Sequence, residues 1–426
     1  MATADGHLIE QRRRQRVARA LANPAYFAEV YVRPYDPNWT SGLPSFAIDM
    51  LSFSLAQRRS VVMLPPEFLK TTLLSQVLPL WLIVDSVARE QQLRGMLLSE
   101  EERMAVGNLS VIAWHVVNNE RIAADFIDSK GNPLIVPDPE EQVWREDAII
   151  IKRPGASKDP TWQAKGLDSK GIHGRRLDWM IGDDVITPRN ATSPALRKRA
   201  LDVMDLVVLT RIVKTGKVLM AGNFNDPKDL LHTLSARKGW GTFKRPSMHM
   251  PGRPDVAPKE SQLTEAELLW PDNWTRERLL EEYEATPNRF RRIHLMDPRA
   301  EHGERLNVGW VTIIEPDDTP LHYAKFFMAL DPAPGGEGDD LDFFNITVVA
   351  LHNRNLDLVE SFDVRASPGR QATLVGMIHD RYNRIGQGVV AIGVSKVALD
   401  RYFEGVLDVV RDDLSHKVEG ISTPGS

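Results

Sequence analysis

The chain has 426 residues, of which 42% are hydrophobic and 26% are charged, values that are close to the globular average. This composition excludes a wholly disordered chain, a collagen-like repeat and a coiled-coil rod. Lys and Arg total 53 against 58 Asp and Glu, so the formal net charge of -5 leaves no overall basic excess, and any contact with DNA has to use a local patch. The absence of cysteine excludes disulfides and thiolate metal sites and fits a reducing compartment such as the cytosol.

The N-terminal segment is rich in arginine and lacks the apolar region of a secretory signal. Its arginines are Arg12, Arg13, Arg14, Arg16 and Arg19. We interpret them as a solvated helix face, with a contact to DNA or to a partner as the alternative. The apolar run 77–84 contains Pro79 and is shorter than the roughly 18 residues that cross a membrane, so no membrane-spanning segment is expected.

The first part of the chain predicts strands that alternate with helices. The predicted strands are 60–64, 94–99, 148–152, 178–182 and 217–221, and the predicted helices are 73–88, 100–126, 193–209 and 227–236. Short apolar strands in alternation with helices are typical of a mostly parallel sheet that helices cover on both faces. We therefore expect an α/β fold for this part.

The pattern changes after Trp240, where four prolines predict a linker. They are Pro246, Pro251, Pro254 and Pro258. A helix is predicted over 275–284. From Lys325 onward three successive strands, FFMALD, FNITVVAL and LDLVESFDV, are followed by a helix over 371–382, a strand over 389–392 and a helix over 396–410. This order predicts a second α/β unit.

The segment LPPEFLKTT, residues 64–72, carries the clearest chemical signal. A phosphate loop needs backbone N–H groups around the phosphates, a lysine that reaches their oxygens and a hydroxyl on Mg²⁺ at the start of a helix. Lys70 and Thr71 supply the lysine and the hydroxyl.

The same segment departs from the usual phosphate loop. Leu64 and Leu69 stand in the places of the two glycines, and Pro65 and Pro66 remove two N–H donors. Taken alone, a Lys-Thr pair after an apolar strand is more often an ordinary helix start than a nucleotide site.

A second motif favours the nucleotide-site interpretation over an ordinary helix start. The segment LDWMIGDDVIT ends an apolar strand in Asp183 and Asp184. In a Walker B strand the first carboxylate holds Mg²⁺ and the second polarises the attacking water. An acidic turn at a strand end is the ordinary interpretation, but the two motifs together, in this order, favour an ATPase.

With these motifs the sequence resembles the large subunit of a tailed-phage terminase, the motor that packages DNA into a capsid. That family's phosphate loop is itself divergent, and LPPEFLKTT is similar to it. The resemblance covers most of the chain and extends through MLLSEEERMAVGNLSVIAWHVVNNERIAADF, GIHGRRLDWMIGDD, KVLMAGNFNDPKDLLHTL and LLWPDNWTRERLLEEYEATPNRFRR.

The resemblance implies a set of nucleotide-site residues. ATP would contact Pro66, Glu67, Phe68, Leu69, Lys70, Thr71, Thr72 and Asn223. Thr71 and Asp183 would hold Mg²⁺, Asp184 would activate water, and Asn223 would sense the γ-phosphate. Lys70, Asp183 and Asp184 are then the catalytic residues of the motor.

The resemblance also implies an RNase H-like second domain that cuts DNA with two metal ions, Mg²⁺ or Mn²⁺. Such chemistry clamps the attacking and leaving oxygens between cations about 4 Å apart. Asp331 matches the family's first acid and would be both catalytic and a metal ligand. Asp342 is a candidate auxiliary metal ligand, with a solvated acidic turn as the ordinary interpretation. Ser395 stands where relatives carry glutamate, and a hydroxyl is a poor ligand for a hard cation.

The family's third acid lies farther toward the C-terminus, whereas this chain stops at Ser426. Two explanations stay open, a shortened part of a longer terminase or a natural motor whose nuclease has decayed, and cutting is expected to be weak or absent under both. The expected domains are an N-terminal helical or lid segment over 1–50, a P-loop ATPase motor over 51–245, a linker with bridging helices over 246–320 and an incomplete RNase H-like domain over 321–426.

The predicted function is ATP-driven translocation of double-stranded viral DNA into a procapsid, in the host cytoplasm. The implied partners are double-stranded DNA, a terminase small subunit, a capsid portal and further copies of this chain in a ring, with no membrane. The alternatives are a non-catalytic terminase-like scaffold for assembly or DNA binding and a helicase-type ATPase, against which the strand-rich segment from Lys325 argues.

Two further assignments stay open at this point. Arg153, Arg175 and Arg176 are candidates for an arginine that reaches a neighbour's ATP site, with surface ion pairs as the ordinary interpretation. The basic stretch around Trp162 predicts either a track for a duplex backbone or a solvated β-ribbon face. Its cations are Lys152, Arg153, Lys158 and Lys165.

Overall fold

The computed structural model describes residues 4–139, 144–155, 157–169, 176–187, 191, 193–223, 225, 228–297, 321–331, 344–353, 355–395, 414 and 418–421. The chain divides into two compact units, Met1–Arg305 and Leu306–Ser426. The proline-rich segment after Trp240 and the helices that follow it therefore belong to the first unit. Each unit has its own apolar core.

The first unit is built from short strands and helices in alternation. Its α-helices are α1 (Ala4–Ala22), α2 (Pro24–Phe27), α3 (Ser45–Ala56), α4 (Leu78–Ala88), α5 (Glu102–Asn118), α6 (Glu120–Asp125), α7 (Pro194–Asp202), α8 (Leu230–Ser235), α9 (Arg276–Ala285) and α10 (Pro287–Ile293). π-Helical turns cover Ala28–Val32, Thr71–Val77 and Val203–Val208, and 3₁₀ turns cover Arg33–Tyr35 and Glu260–Gln262. Its strands are β1 (Arg59–Met63), β2 (Gly95–Ser99), β3 (Trp144–Arg145), β4 (Ala148–Ile149), β5 (Trp162–Gly166), β6 (Leu177–Asp183), β7 (Ile212–Gly222), β8 (Gly241–Lys244), β9 (Met248–His249) and β10 (Glu267–Leu268).

Eight of these strands form one sheet in the order β3-β4-β5-β2-β6-β7-β1-β8. Each of the strands β5, β2, β6, β7, β1 and β8 is parallel to the next in this order. The β3–β4 and β4–β5 pairs are antiparallel. All five residues of β2 are buried, as expected for a strand that is covered on both faces. The predicted α/β fold with a mostly parallel sheet is confirmed.

Two elements differ from the sequence prediction. The predicted helix over 100–126 is two helices, because Asn119 ends α5 and caps α6 by accepting a hydrogen bond from the Ile122 N–H. The segment around Trp162 is strand β5, inside the sheet and parallel to β2. Its Gly95 neighbour leaves room for the indole, which lies where a Cβ on Gly95 would be.

The helix that follows β1 is long and apolar. Residues Thr71–Ala88 together meet the length and hydropathy of a membrane-crossing helix, a longer segment than the sequence prediction considered. However, 67% of this segment is buried inside the protein, where it packs against the sheet and the N-terminal helices. It is a core helix of the first unit.

Two arginines of the N-terminal helix contact α6. Both Nε and Nη2 of Arg16 bond the carboxylate of buried Asp125, which also accepts from the Tyr31 hydroxyl at 2.7 Å, and Arg13 bonds the Asp125 carbonyl. Arg12 and Arg14 are exposed. The arginine-rich face is therefore partly a structural clamp between α1 and α6.

The second unit contains a five-stranded sheet. Its elements are a 3₁₀ turn (Leu321–Tyr323), β11 (Lys325–Asp331), β12 (Phe344–His352), β13 (Asn355–Val364), α11 (Pro368–Tyr382), β14 (Val389–Ser395) and β15 (Val418–Ile421). The strand order is β13-β12-β11-β14-β15, with antiparallel pairs on the β13 side of β11 and parallel pairs on the other side. The predicted helix over 396–410 lies outside the described residues.

Candidate functional site

The two nucleotide motifs meet at one edge of the large sheet. Strand β1 lies beside β7, and β7 lies beside β6, all parallel, with Met63 opposite Gly222 and Asp183 opposite Ala221. The loop after β1, the acids at the end of β6 and Asn223 after β7 therefore emerge together. Ligands of open parallel sheets bind at this edge, beyond the carboxyl ends of the strands.

The loop after β1 contains two left-handed residues, and neither of them is glycine. Leu69, which stands in place of the second glycine, has a φ of 58°, and Glu67 has a φ of 64°. Both lie in the left-handed region, which costs a side-chain-bearing residue about 1 kcal/mol or more. Such strain persists only where the surrounding structure holds the backbone, and here Leu69 also packs against the apolar core.

Lys70 is buried and holds the loop together. Its Nζ donates to the carbonyl oxygens of Leu64 at 2.7 Å and Pro65 at 2.6 Å and to Oδ1 of Asn223 at 2.8 Å. Burial lowers the pKa of Lys70 to about 8, although Asp184 and Asp183 act in the opposite direction. The ammonium is therefore charged at neutral pH, and a charge-assisted bond to a phosphate oxygen would be stronger than its bonds to neutral carbonyl oxygens.

Asp183 is held by the helix that starts at the loop. The Ser75 hydroxyl donates to Oδ2 at 2.8 Å, while Oδ1 is buried and has no hydrogen-bond partner among the described residues. Burial and the neighbouring Asp184 raise the pKa of Asp183 to about 6, against the lowering effect of Ser75, Thr71 and Lys70.

An unpaired oxygen on a buried carboxylate is costly unless a cation balances it. Hard oxygen ligands are also what Mg²⁺ prefers. The carboxylate of Asp183 and the hydroxyl of Thr71 therefore fit the magnesium ion that accompanies a nucleoside triphosphate. Among the residues with a described position, no group of three or more His, Asp or Glu side chains forms a metal cluster.

Asp184 faces the same pocket from the turn after β6. Its backbone is left-handed, with a φ of 47°, and its N–H bonds the Ala221 carbonyl across to β7. Burial raises the pKa of Asp184, and Lys70 opposes that change. The turn therefore directs the Asp183 carboxylate toward the helix that carries Ser75 and the Asp184 carboxylate toward the pocket.

The pocket has a volume of about 240 Å³. It is lined by seven of the eight residues predicted to contact the nucleotide, from Pro66 to Thr72 and at Asn223, and by Asp184. Phe68 is the exception, because its side chain is fully buried and stacks on Trp274, with 5.8 Å between ring centroids. Because this side chain lies in the core, only the backbone of Phe68 is left for the predicted contact.

The sequence interpretation missed Ser75. It lies four residues after Thr71, a spacing that places both hydroxyls on one face of the helix and could have been read from the sequence. Its partner Asp183 is 108 positions away, and that contact exists only in the folded chain.

The basic stretch near Trp162 is divided between strand β5 and the loop that precedes it. Trp162 is fully buried, and Lys165 bonds the carboxylates of Glu102 at 3.1 Å and Asp147 at 2.7 Å. Arg153 donates to the carbonyl oxygens of Ser157 and Asp159 in its own loop. The solvated ribbon does not hold for Trp162 and Lys165, because they belong to a strand inside the sheet. Lys152 and Lys158 are exposed in the loop before β5, and a contact of this loop with a duplex backbone stays a prediction. Arg176 is exposed, and Arg175 lies outside the described residues.

The second unit carries one of its predicted acids at a comparable sheet edge. Asp331 is exposed at the end of β11, whose neighbour β14 ends in Ser395, with Leu330 opposite Val394. On the adjacent strand β12, Asn345 is paired with Asp331, and its Nδ2 donates to Asp363 at 2.8 Å. The serine thus ends the strand next to the acid, where the family resemblance expects glutamate. Asp342 lies outside the described residues.

Comparison with known proteins gives matches to solved structures only. No protein-family model matches the sequence, and neither does any curated protein. The chain is similar in architecture to the large terminase of bacteriophage HK97, at 13% identity over 95% of this chain and 85% of that chain, with a TM-score of 0.44. It is also similar to the large terminase of a thermophilic bacteriophage in complex with ATP-γ-S, at 12% identity over 88% and 87% of the two chains, with a TM-score of 0.31. A third match is the large terminase ATPase domain of Thermus phage P74-26, at 15% identity over 60% of this chain and 98% of that chain, with a TM-score of 0.36.

Proposed function

We propose that the first unit hydrolyses ATP with Mg²⁺ as cofactor. The observation that carries this proposal is the convergence of Lys70, Asp184 and the underlying Asp183 on one pocket at the carboxyl edge of a parallel sheet. A lysine, two carboxylates and a hydroxyl at a helix start are the parts that phosphoryl transfer to water requires.

Each residue has a distinct role in this proposal. Lys70 leaves the loop carbonyls and binds phosphate oxygens, which neutralises charge that develops as the bond to the leaving group breaks. Asp184 accepts the proton of the attacking water, for which its raised pKa suits it. Asn223, released from Lys70, hydrogen-bonds the γ-phosphate or the water. The magnesium ion, held by Thr71 and Asp183, supplies electrostatic stabilisation of the phosphate oxygens.

We further propose that the hydrolysis drives packaging of double-stranded viral DNA into a procapsid. This step is supported by the motifs that resemble terminase large subunits, and it implies a small subunit, a portal and a ring of copies of this chain in the host cytoplasm. The test is phosphate release from ATP with and without double-stranded DNA. DNA stimulation that Lys70→Ala removes supports the motor. Hydrolysis that persists in Lys70→Ala would contradict the proposed site, and the absence of any hydrolysis would favour a non-catalytic scaffold.

The second unit is proposed to be RNase H-like, with weak or absent endonuclease activity. The strand order, with two antiparallel strand pairs on one side of β11 and two parallel pairs on the other, supports the fold assignment. A cation at Asp331 would have a serine rather than a carboxylate on the neighbouring strand, and two-metal cleavage depends on several carboxylates. A plasmid nicking assay with Mg²⁺ or Mn²⁺ tests this proposal.

A further inference from the structure

Four neighbouring strands of the large sheet are each preceded by an arginine. The strands are β2, β6, β7 and β1, and the arginines are Arg94, Arg176, Arg211 and Arg58. Because these strands are parallel, all four arginines lie at the amino edge of the sheet, opposite the edge that carries the phosphate pocket. The order of the strands in the sheet, which differs from their order in the chain, brings the arginines together.

The four positions are close neighbours across the sheet. The Arg94 carbonyl accepts from the Asp178 N–H at 2.8 Å, and the Arg211 carbonyl accepts at 3.0 Å from the N–H of Leu177, the residue after Arg176. Arg176 lies two residues before Asp178 and therefore extends farther from the sheet than Arg94. Adjacent strands are about 4.8 Å apart, so the outer two arginines, on β2 and β1, are separated by about 14 Å across the strands.

A bulge of β7 adds a fifth cation to this edge. The pairing of β7 with β6 shifts near the start of both strands, and residues 213–216 of β7 stand outside it. Lys214 lies in this bulge and is exposed, as are Arg58 and Arg176. These three cations form no ion pair with any residue that the structure describes. We call the five residues the amino-edge cluster, which consists of Arg58, Arg94, Arg176, Arg211 and Lys214.

Two acids beside the amino-edge cluster are already engaged. The guanidinium of Arg94 donates to both carboxylate oxygens of Asp178, at 2.9 Å and 2.8 Å. Asp159 is buried and accepts from the Arg176 N–H at 3.3 Å. Asp178 thus neutralises one cation of the cluster and leaves the others to face the solvent. The edge is a local basic patch on a chain whose formal net charge is -5.

We propose that the amino-edge cluster binds the phosphate backbone of double-stranded DNA. The inference rests on the proposed packaging function and deepens it, because it assigns a DNA-contacting surface to the first unit. Each DNA strand carries one phosphate per about 3.4 Å of helix axis, so an edge about 14 Å wide meets several phosphates at once. Lys and Arg contacts to phosphates carry no base-sequence information. Such a surface suits a protein that moves along DNA of any sequence.

Three strands connect this surface to the phosphate pocket. Strand β1 follows Arg58 and leads to the phosphate loop, β6 follows Arg176 and ends at Asp183, and β7 follows Arg211 and leads to Asn223. The five residues of β1 span about 17 Å, so DNA at the cluster does not contact the nucleotide. Substitutions in the cluster are therefore expected to change DNA affinity and to preserve ATP affinity.

The experiment measures binding of the full chain to a short duplex of random sequence by fluorescence anisotropy at several salt concentrations. The double variant Arg58→Gln/Lys214→Gln is expected to lower the slope of log affinity against log salt by about two, because each lost phosphate contact removes about one. At about 0.1 M salt its affinity should fall by about tenfold or more. Arg58→Lys/Lys214→Arg retains both charges and should keep the wild-type slope.

The matched control is Arg253→Gln/Lys259→Gln, because both are exposed cations of the same unit outside the amino-edge cluster. Equal changes of slope in the two glutamine variants would overturn the inference, as would wild-type DNA affinity in Arg58→Gln/Lys214→Gln. Neither result affects the proposed ATPase, which Lys70→Ala tests separately. Absence of duplex binding by the unaltered chain would overturn the inference and the proposed packaging function together. Titration calorimetry with ATP and Mg²⁺ should give an affinity for the cluster variant within about twofold of the wild type. A larger loss would contradict the separation of the two sites.

Discussion

The ammonium of Lys70 donates to the side-chain carbonyl of Asn223, with 2.8 Å between Nζ and Oδ1, and so joins the loop after β1 to the end of β7. The two residues are 153 positions apart in the chain. A phosphate that binds Lys70 has to replace this contact, which frees the amide of Asn223 for the ligand. Phosphate binding at the loop after β1 would therefore change the contacts of Asn223 at the end of the neighbouring strand β7.

Removal of the lysine should abolish turnover and preserve the fold. In Lys70→Ala, phosphate release from ATP is expected to fall by about 100-fold or more, because no other cation replaces the lost charge at the transition state. The free energy of unfolding should change by only about 1 kcal/mol, since the loss of three hydrogen bonds is offset by removal of a desolvated charge. Wild-type hydrolysis in a folded variant would contradict the proposed site.

The two neighbouring carboxylates should separate binding from chemistry. Asp184→Asn is expected to bind ATP nearly as well as the wild type but to lower kcat by about 100- to 10 000-fold, as loss of a proton acceptor does. Asp183→Asn should weaken binding of Mg²⁺ and ATP instead. Calorimetry with ATP and single-turnover hydrolysis distinguish the two effects. If Asp184→Asn weakened binding as much as Asp183→Asn, with normal turnover of the bound fraction, this division of roles would be wrong.

Ser75 is expected to position Asp183. Ser75→Ala removes the hydrogen bond to Oδ2 and should raise the Mg²⁺ concentration required for half-maximal hydrolysis by about tenfold, with a smaller effect on kcat at saturating Mg²⁺. Ser86→Ala is the matched control, because Ser86 is buried on the same helix and donates only to the Ile83 carbonyl. An identical Mg²⁺ dependence in both variants would assign Ser75 a purely structural role.

The buried Asp183 should make stability depend on pH. Its folded pKa of about 6 lies above the ordinary value of 3.8, so the folded state binds the proton more tightly than the unfolded state. Stability from this group is fully present below the ordinary pKa and is lost as the pH rises through about 6, by about 3 kcal/mol in total. Urea unfolding without Mg²⁺ at pH 4 and pH 7 should show this loss in the wild type and a smaller one in Asp183→Asn. A pH dependence that is equal in the two proteins would refute the assignment.

The endonuclease activity of the second unit should be weak, because the strand beside Asp331 ends in Ser395 rather than in a carboxylate. The unaltered chain is expected to nick plasmid DNA slowly or not at all, even with millimolar Mn²⁺, because Asp331 alone balances little of the charge of two cations. Ser395→Glu should increase Mn²⁺-dependent nicking, and the additional change Asp331→Ala should remove the increase. Brisk nicking by the unaltered chain that Asp331→Ala abolishes would mean that other acids complete the site.

The sequence alone determined the fold class and the strand ends that carry most residues of the proposed nucleotide site. Apolar strands that alternate with helices require parallel pairing, and parallel pairing brings the carboxyl ends of the strands to one edge. Lys70, Asp183 and Asn223 each follow a predicted strand, so local patterns place all three at the same edge of the sheet. Ser395 could also be identified from the sequence, because it lies just after the predicted strand 389–392.

The tertiary structure decided which strands are neighbours and which way individual side chains point. A hydrophobic pattern cannot distinguish a buried strand from an exposed ribbon, and β5 was recognised only from its pairing with β2. The left-handed Leu69, the inward Phe68, the bond from Ser75 to Asp183 and the amino-edge cluster all depend on contacts between distant segments. Such contacts are set by packing of the whole unit, which can impose a conformation that local propensity disfavours.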